Sequence, residues 1–148
     1  MVEQDYKKSS AWQKAVELVE VIANLTKKLA KAEGMMEQAA ARHVYNRDAE
    51  AIALDIATAG GRAAFQQEEA RRFLSLANGM ACRLEARLLL DAKRDYLSQA
   101  DAEVPLKLCA ELTEILTQRE AQLSVANRHG VSVEALRRIC GDSRDTDR

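Results

Sequence analysis

Ala70, Phe73, Ala77, Met80, Leu84 and Leu88 recur at steps of three, four, three, four and four. Only a helix brings residues at that spacing onto one side, because a strand would require a period of two. A stripe of this length has to be covered by other helices, so the rest of the chain is read for partners. Breakers are few: Pro105 is the only proline, and six glycines punctuate 148 residues. With 47% hydrophobic residues, that composition excludes collagenous, disordered and mostly β architectures. A chain this long fits one domain that buries about 70% of its unfolded surface. No uninterrupted apolar stretch approaches the roughly 18–20 residues of a membrane span. The opening MVEQDYKKSSAW lacks the apolar core of a signal peptide. Cys82, Cys109 and Cys140 are odd in number and widely spaced, as suits free thiols in a reducing cytoplasm. A net charge of −1 gives no global attraction to nucleic acid or membrane.

Four long helices are expected. The first ten residues carry no periodic signal and read as a flexible arm, with Ser9 or Ser10 as an N-cap. The first helix runs from there to about Lys31, before Gly34, with Trp12, Ala15, Val16, Val19, Ile22, Ala23 and Ala30 on a broad apolar side and Leu18, Leu25 and Leu29 beside them. The second spans roughly Met35 to Thr58, ends at Gly60–Gly61, and is alanine-rich enough to be the innermost. The third covers Phe65 to Lys93. The fourth starts near Glu103 or bends at Pro105 and ends near Asn127, with Ser98 available as a cap. Short connections make this an all-α, antiparallel up-down-up-down bundle over 11–127. Residues 128–148 are expected to form a short C-terminal helix and a disordered tail. Val16, Val19, Ile22, Phe73, Ala77, Leu84, Leu88, Leu112 and Ile115 are the expected core.

Reactive constellations are missing from the sequence. His43 and His129 have Ala40 and Ala126 three residues before them, which excludes the Glu-x-x-His pairs of di-iron bundles. No two cysteines lie at zinc-ligand spacing, so neither a metal nor a cofactor is expected. Gly60-Gly61-Arg62 has no GK[ST] after it and reads as a helix-ending turn rather than a phosphate loop. The carboxylates are read as lying on solvated faces beside Lys and Arg, which gives no paired acid–base chemistry. No catalytic residue is assigned, and the chain is read as a non-enzyme.

Two features remain. At about 100° per residue, Arg72, Arg83, Arg87 and Arg94 fall within about 60° of one another, with Leu76 and Leu90 in the same strip. Arg62 and Arg71 lie near its start. Such a line can track the phosphates of RNA or DNA. It can also form a subunit interface through Leu76 and Leu90, or simply face solvent. The second feature is VANRHGVSVEALRRIC, in which Ala126, Gly130, Leu136 and Ile139 have helix-turn-helix spacing. That alternative makes the chain a regulatory DNA-binding protein with Arg137 and Arg138 on the reading helix. A short cap packed on the bundle is the plainer reading.

The segment SSAWQKAVELVEVIANLTKKL resembles the opening helix of proteins encoded in intervening sequences of bacterial 23S ribosomal RNA, through Trp12, Lys14, Ala15, Leu18 and Thr26. AIALDIATAGGR is similar to that family's second-helix signature in Ile52, Ile56, Ala57, Gly61 and Arg62. It departs from the signature at Ala53, Asp55, Thr58 and Ala59. In RRFLSLANGMACRLEARLLL the resemblance continues through Arg72, Phe73, Leu74, Ala77, Gly79, Leu84, Glu85 and Leu88, followed by Tyr96-Leu97-Ser98. It covers about Ser9 to Ala126. The family is akin to accessory proteins of diversity-generating retroelements, which form pentameric barrels and associate with a reverse transcriptase and RNA. The resemblance implies a homo-oligomeric bundle, a pentamer above all, without catalysis. Its implied partners are RNA or DNA, a reverse transcriptase, or another protein.

Overall fold

The structure is a computed structural model that describes residues 5–32, 36–62, 66–129 and 135. A 3-10 turn at Asp5–Lys8 precedes α1 (Ser10–Ala32), α2 (Met36–Arg62), α3 (Gln67–Lys93) and α4 (Gln99–His129). No strand occurs among the described residues, and none of their helices is long and apolar enough to cross a membrane. Gly34 and, apart from Ala135, the expected C-terminal helix with its tail lie outside the described residues.

The starts of α1 and α4 follow from local chemistry. The Trp12 N–H donates to Ser9 Oγ at 3.1 Å and opens α1, and the Asp101 N–H donates to Ser98 Oγ at 3.1 Å and opens α4. α4 therefore begins well before Glu103, and Pro105 lies inside it, its ring fully buried. The proline forfeits one backbone bond to the Asp101 carbonyl and turns its ring to the core in exchange.

The core is a set of four interlocking stripes. Ala11, Ala15, Leu18, Ile22 and Leu25 come from α1, and Tyr45, Ala49, Ile52, Ile56 and Ala59 from α2. α3 supplies Ala70, Leu74, Ala77, Ala81, Leu84 and Leu88, and α4 supplies Cys109, Leu112, Leu116 and Leu123. Steps alternate between three and four, apart from the seven between Leu116 and Leu123 that spans the buried Arg119, which is the spacing of side chains packed into a neighbouring helix's grooves. Of the expected core, Ile22, Ala77, Leu84, Leu88 and Leu112 are buried. Val19, Phe73 and Ile115 pack against its edge, and Val16 is half-buried. On α1 the centre falls on the stripe of Ala11, Ala15, Leu18, Ile22 and Leu25, and Val16 and Val19 lie on its flank.

Pairs across the seams fix the arrangement. Thr26 meets Asn46 between α1 and α2, and Asn78 donates to Thr117 at 3.2 Å between α3 and α4. Lys14 Nζ lies 2.6 Å from Glu111 and Lys28 Nζ 2.7 Å from Asp101, joining α1 to α4 with residue numbers running oppositely. α2 is not the innermost helix. It occupies one corner of a square, and the seams of α3 with α2 and with α4 are the most extensive.

Two expectations fail around Gly60. α2 continues through Gly60 and Gly61 to Arg62 instead of ending there. Glycine weakens a helix by about 1 kcal/mol but does not by itself stop one. A Cβ at Gly60 would lie 2.6 Å from Tyr6 Cβ, so the glycine admits the 3-10 turn of the N-terminal arm against α2. That part of the arm is packed rather than loose, and Tyr6 meets Trp12 edge-on with ring centroids 5.1 Å apart. Gly60→Val is expected to expel the turn and cost about 1–3 kcal/mol, the usual penalty of overpacking. Denaturant unfolding followed by Trp12 fluorescence measures both the loss and the changed indole environment.

Acid sensitivity follows from the α1–α4 seam. The Lys14 hydrogen bond holds Glu111 below the ordinary carboxylate range, and Lys28 together with Ser98 does the same for Asp101. Both carboxylates bind protons less readily folded than unfolded. Their stabilisation is therefore complete above the unfolded value of about 4 and is lost as pH falls through the folded values. Burial pushes Asp55 upward, so its effect has the opposite sign. Lys14→Met is expected to flatten the loss of stability between about pH 5 and pH 3, read by urea titration at each pH.

Candidate interaction face on α2 and α3

The arginines diverge in their contacts. Arg71 turns to α4, donating to Ser124 Oγ at 3.1 Å and to Glu68 Oε1 at 2.8 Å. Arg83 leans to α2, its Nε 4.0 Å from Asp48 Oδ2, while Arg47 Nη2 lies 3.4 Å from Asp48 Oδ1. Arg87 is half-buried, its Nε shut off from solvent without a hydrogen-bond partner among the described residues. Arg72 is exposed, as is Arg94, which caps α3 through its N–H to the Leu90 carbonyl at 3.0 Å. The Arg62 side chain lies outside the described residues.

The seam beneath this face corrects the view that all carboxylates sit on solvated surfaces. Asp48 is 0% exposed. One turn away, the Tyr45 hydroxyl donates to Asp91 Oδ2, joining α2 to α3 a second time. Burial pushes the Tyr45 phenol well above its ordinary range, and the Asp91 bond adds to this while Arg87 opposes it. The Asp48 cluster was missed, although a signal exists: Tyr45, Asp48 and Ile52 follow the three-four step of the core stripe. A charged residue in that register is either buried with partners or marks a break in the face.

Outside the seam, α3 shows Leu76, Gly79, Arg83, Ala86 and Leu90 at steps of three, four, three and four. Leu76 is 49% exposed and Leu90 52%. Leu89 on α3 and Leu54 on α2 are also at least half exposed, and the sequence did not single them out. Large apolar side chains flanking small ones beside arginines suit a protein contact. Chemistry is less well served. No group of three His, Cys, Asp or Glu converges as a metal site among the described residues. The Cys109 thiol is pushed up to about 12 by burial and is unreactive, whereas Cys82 is exposed.

No curated protein and no solved structure matches the chain. Residues 7–118 match the family described as 23S rRNA-intervening sequence protein. That span takes in α1, α2, α3 and more than half of α4, with the buried Asp48 seam and the apolar strip of α3. The chain belongs to the 23S rRNA-intervening sequence protein family.

Proposed function

We propose that the protein is a non-catalytic, self-associating helical scaffold of the cytoplasm whose copies join through the outward strip of α3 and the adjoining side of α2. The observation that carries this reading is the exposed line Leu76–Gly79–Arg83–Ala86–Leu90, which the bundle's own core leaves outside. Like subunits joined head-to-tail close into a ring when the rotation permits, and the family resemblance favours five. Sedimentation velocity at tens of micromolar tests the proposal. A species well above the 16.4 kDa chain supports it, and a monomer throughout overturns it.

A second reading adds RNA or DNA to such a ring. Exposed Arg72 and Arg94 favour it, because a modest patch repeated around a ring acts through effective concentration. Arg83 and Arg87 weaken it, since both are drawn toward the α2 seam. A mobility shift at low salt that vanishes steeply with added salt supports phosphate contacts. No shift removes nucleic acid from the account and leaves a protein partner, a reverse transcriptase among them. The helix-turn-helix alternative falls on residues outside the described part.

A further inference from the structure

Leu88, Leu89 and Leu90 follow one another on α3. At about 100° per residue, three successive leucines cannot all face the core. Leu88 does, at 0% exposure, while Leu89 and Leu90 stay 50% and 52% exposed. This surplus pair opens onto a cleft of about 580 Å³ between the end of α3 and the start of α4, within the roughly 300–1,000 Å³ of small-molecule pockets. Ala86, Leu89 and Leu90 line it from α3, and Ala102 and Leu106 from α4. Aliphatic walls reward an alkyl group and would leave the polar atoms of a sugar or a base without partners. Two polar side chains, Lys93 and Gln99, share the lining. Lys93 is exposed and carries no ion pair among the described residues. Two carboxylates near the cleft in sequence are engaged elsewhere: Asp91 accepts from Tyr45 of α2, and Asp101 pairs with Lys28 of α1. Asp95 is exposed in the turn beyond and does not line the cleft. The cleft therefore joins an apolar wall to one uncompensated cation.

We propose that this cleft binds a free single-chain aliphatic carboxylate, its alkyl chain against the leucines and its head group at Lys93 and Gln99. One lining ammonium matches one negative charge, and the Gln99 amide can donate to the second carboxylate oxygen. A doubly charged phosphate would call for a second cation in the lining. The alkyl chain answers the rest of the surface, since each methylene fully removed from water raises affinity roughly fourfold. Binding here goes beyond the assembly reading and needs no second copy. Ala86 and Leu90 belong to both surfaces, whereas Leu89, Lys93, Gln99 and Leu106 line the cleft and lie outside the contact strip.

The test titrates octanoate, decanoate and dodecanoate into the full chain by calorimetry, each below its micelle-forming concentration. Saturable binding is expected, with affinity rising about two- to fourfold per added methylene. Lys93→Met should weaken dodecanoate about tenfold and leave uncharged dodecanol unchanged, because only the carboxylate loses a charge-assisted bond. Leu89→Gln should weaken both, and its exposed position keeps the circular dichroism unchanged. Dodecanoate should bind equally well to Leu76→Glu, which alters the contact strip and not the cleft, so the two readings fail separately. The absence of saturable binding overturns the proposal, as does an affinity indifferent to chain length. Equal effects of Lys93→Met on dodecanoate and dodecanol overturn it too. Binding lost with Leu76→Glu puts the ligand at a contact between copies and overturns the cleft. Binding to vesicles of anionic phospholipid without binding of free dodecanoate assigns the surface to a membrane and overturns the free-ligand assignment.

Discussion

Removing both Arg47 and Arg83 as alanines is expected to destabilise the fold by about 3–5 kcal/mol, the range for leaving a buried charge uncompensated. Asp48 is fully buried, and among the described residues these two guanidinia are the cations paired with it. The reverse deletion should be far milder. Arg47 and Arg83 are each more than half exposed, so losing Asp48 leaves them solvated rather than stranded. Asp48→Asn is expected to cost about 1–2 kcal/mol, mostly from poorer hydrogen bonding. Adding Asp48→Leu to the double alanine variant should recover most of the loss, since an apolar residue of similar size suits the site once its cations are gone. Urea unfolding of the variants measures the asymmetry. Equal costs for removing the carboxylate and the arginines would show that the pairing is solvent-screened and contributes little.

Leu76→Glu with Leu90→Glu is expected to convert the proposed assembly to monomer without loss of helix. Both side chains are about half exposed in the single chain, so the substitutions break no core packing. At a contact, burying an unpaired carboxylate where an apolar anchor stood costs at least about 2 kcal/mol per site. Two sites per copy amount to a weakening of roughly a thousandfold or more. Sedimentation and thermal melts separate the outcomes: monomer with a preserved fold places the strip at the contact. An oligomer that persists puts the contact elsewhere. Arg83→Ala complicates the comparison if used alone, because it disturbs Asp48 as well as the outer face.

How much was legible in the sequence depended on whether local spacing or neighbouring helices decided the outcome. The α3 stripe was legible because Ala77, Leu84 and Leu88 lie at helical steps whatever surrounds them. Ser98 was legible as a cap because the hydroxyl and the N–H it satisfies are three residues apart. Helix type and the extent of α3 needed no third dimension. The end of α2 was misjudged because Gly60 answers to Tyr6, more than fifty residues away, and no local rule reports that approach.

The candidate site was legible in composition and not in partnership. Arg72, Arg83, Arg87 and Arg94 share a helical strip by arithmetic, but which of them keeps its charge free depends on what α2 places opposite. Arg83 pairs with Asp48 while staying more than half exposed, and Arg87 settles half-buried near Tyr45. The sequence by itself determined that this chain makes long amphipathic helices, because periodicity and propensity act within a turn or two. The tertiary structure alone decided which of two adjacent stripes on α1 became core and which carboxylate was buried. It also decided which leucines remained outside, since each of these depends on side chains that meet only when distant segments pack.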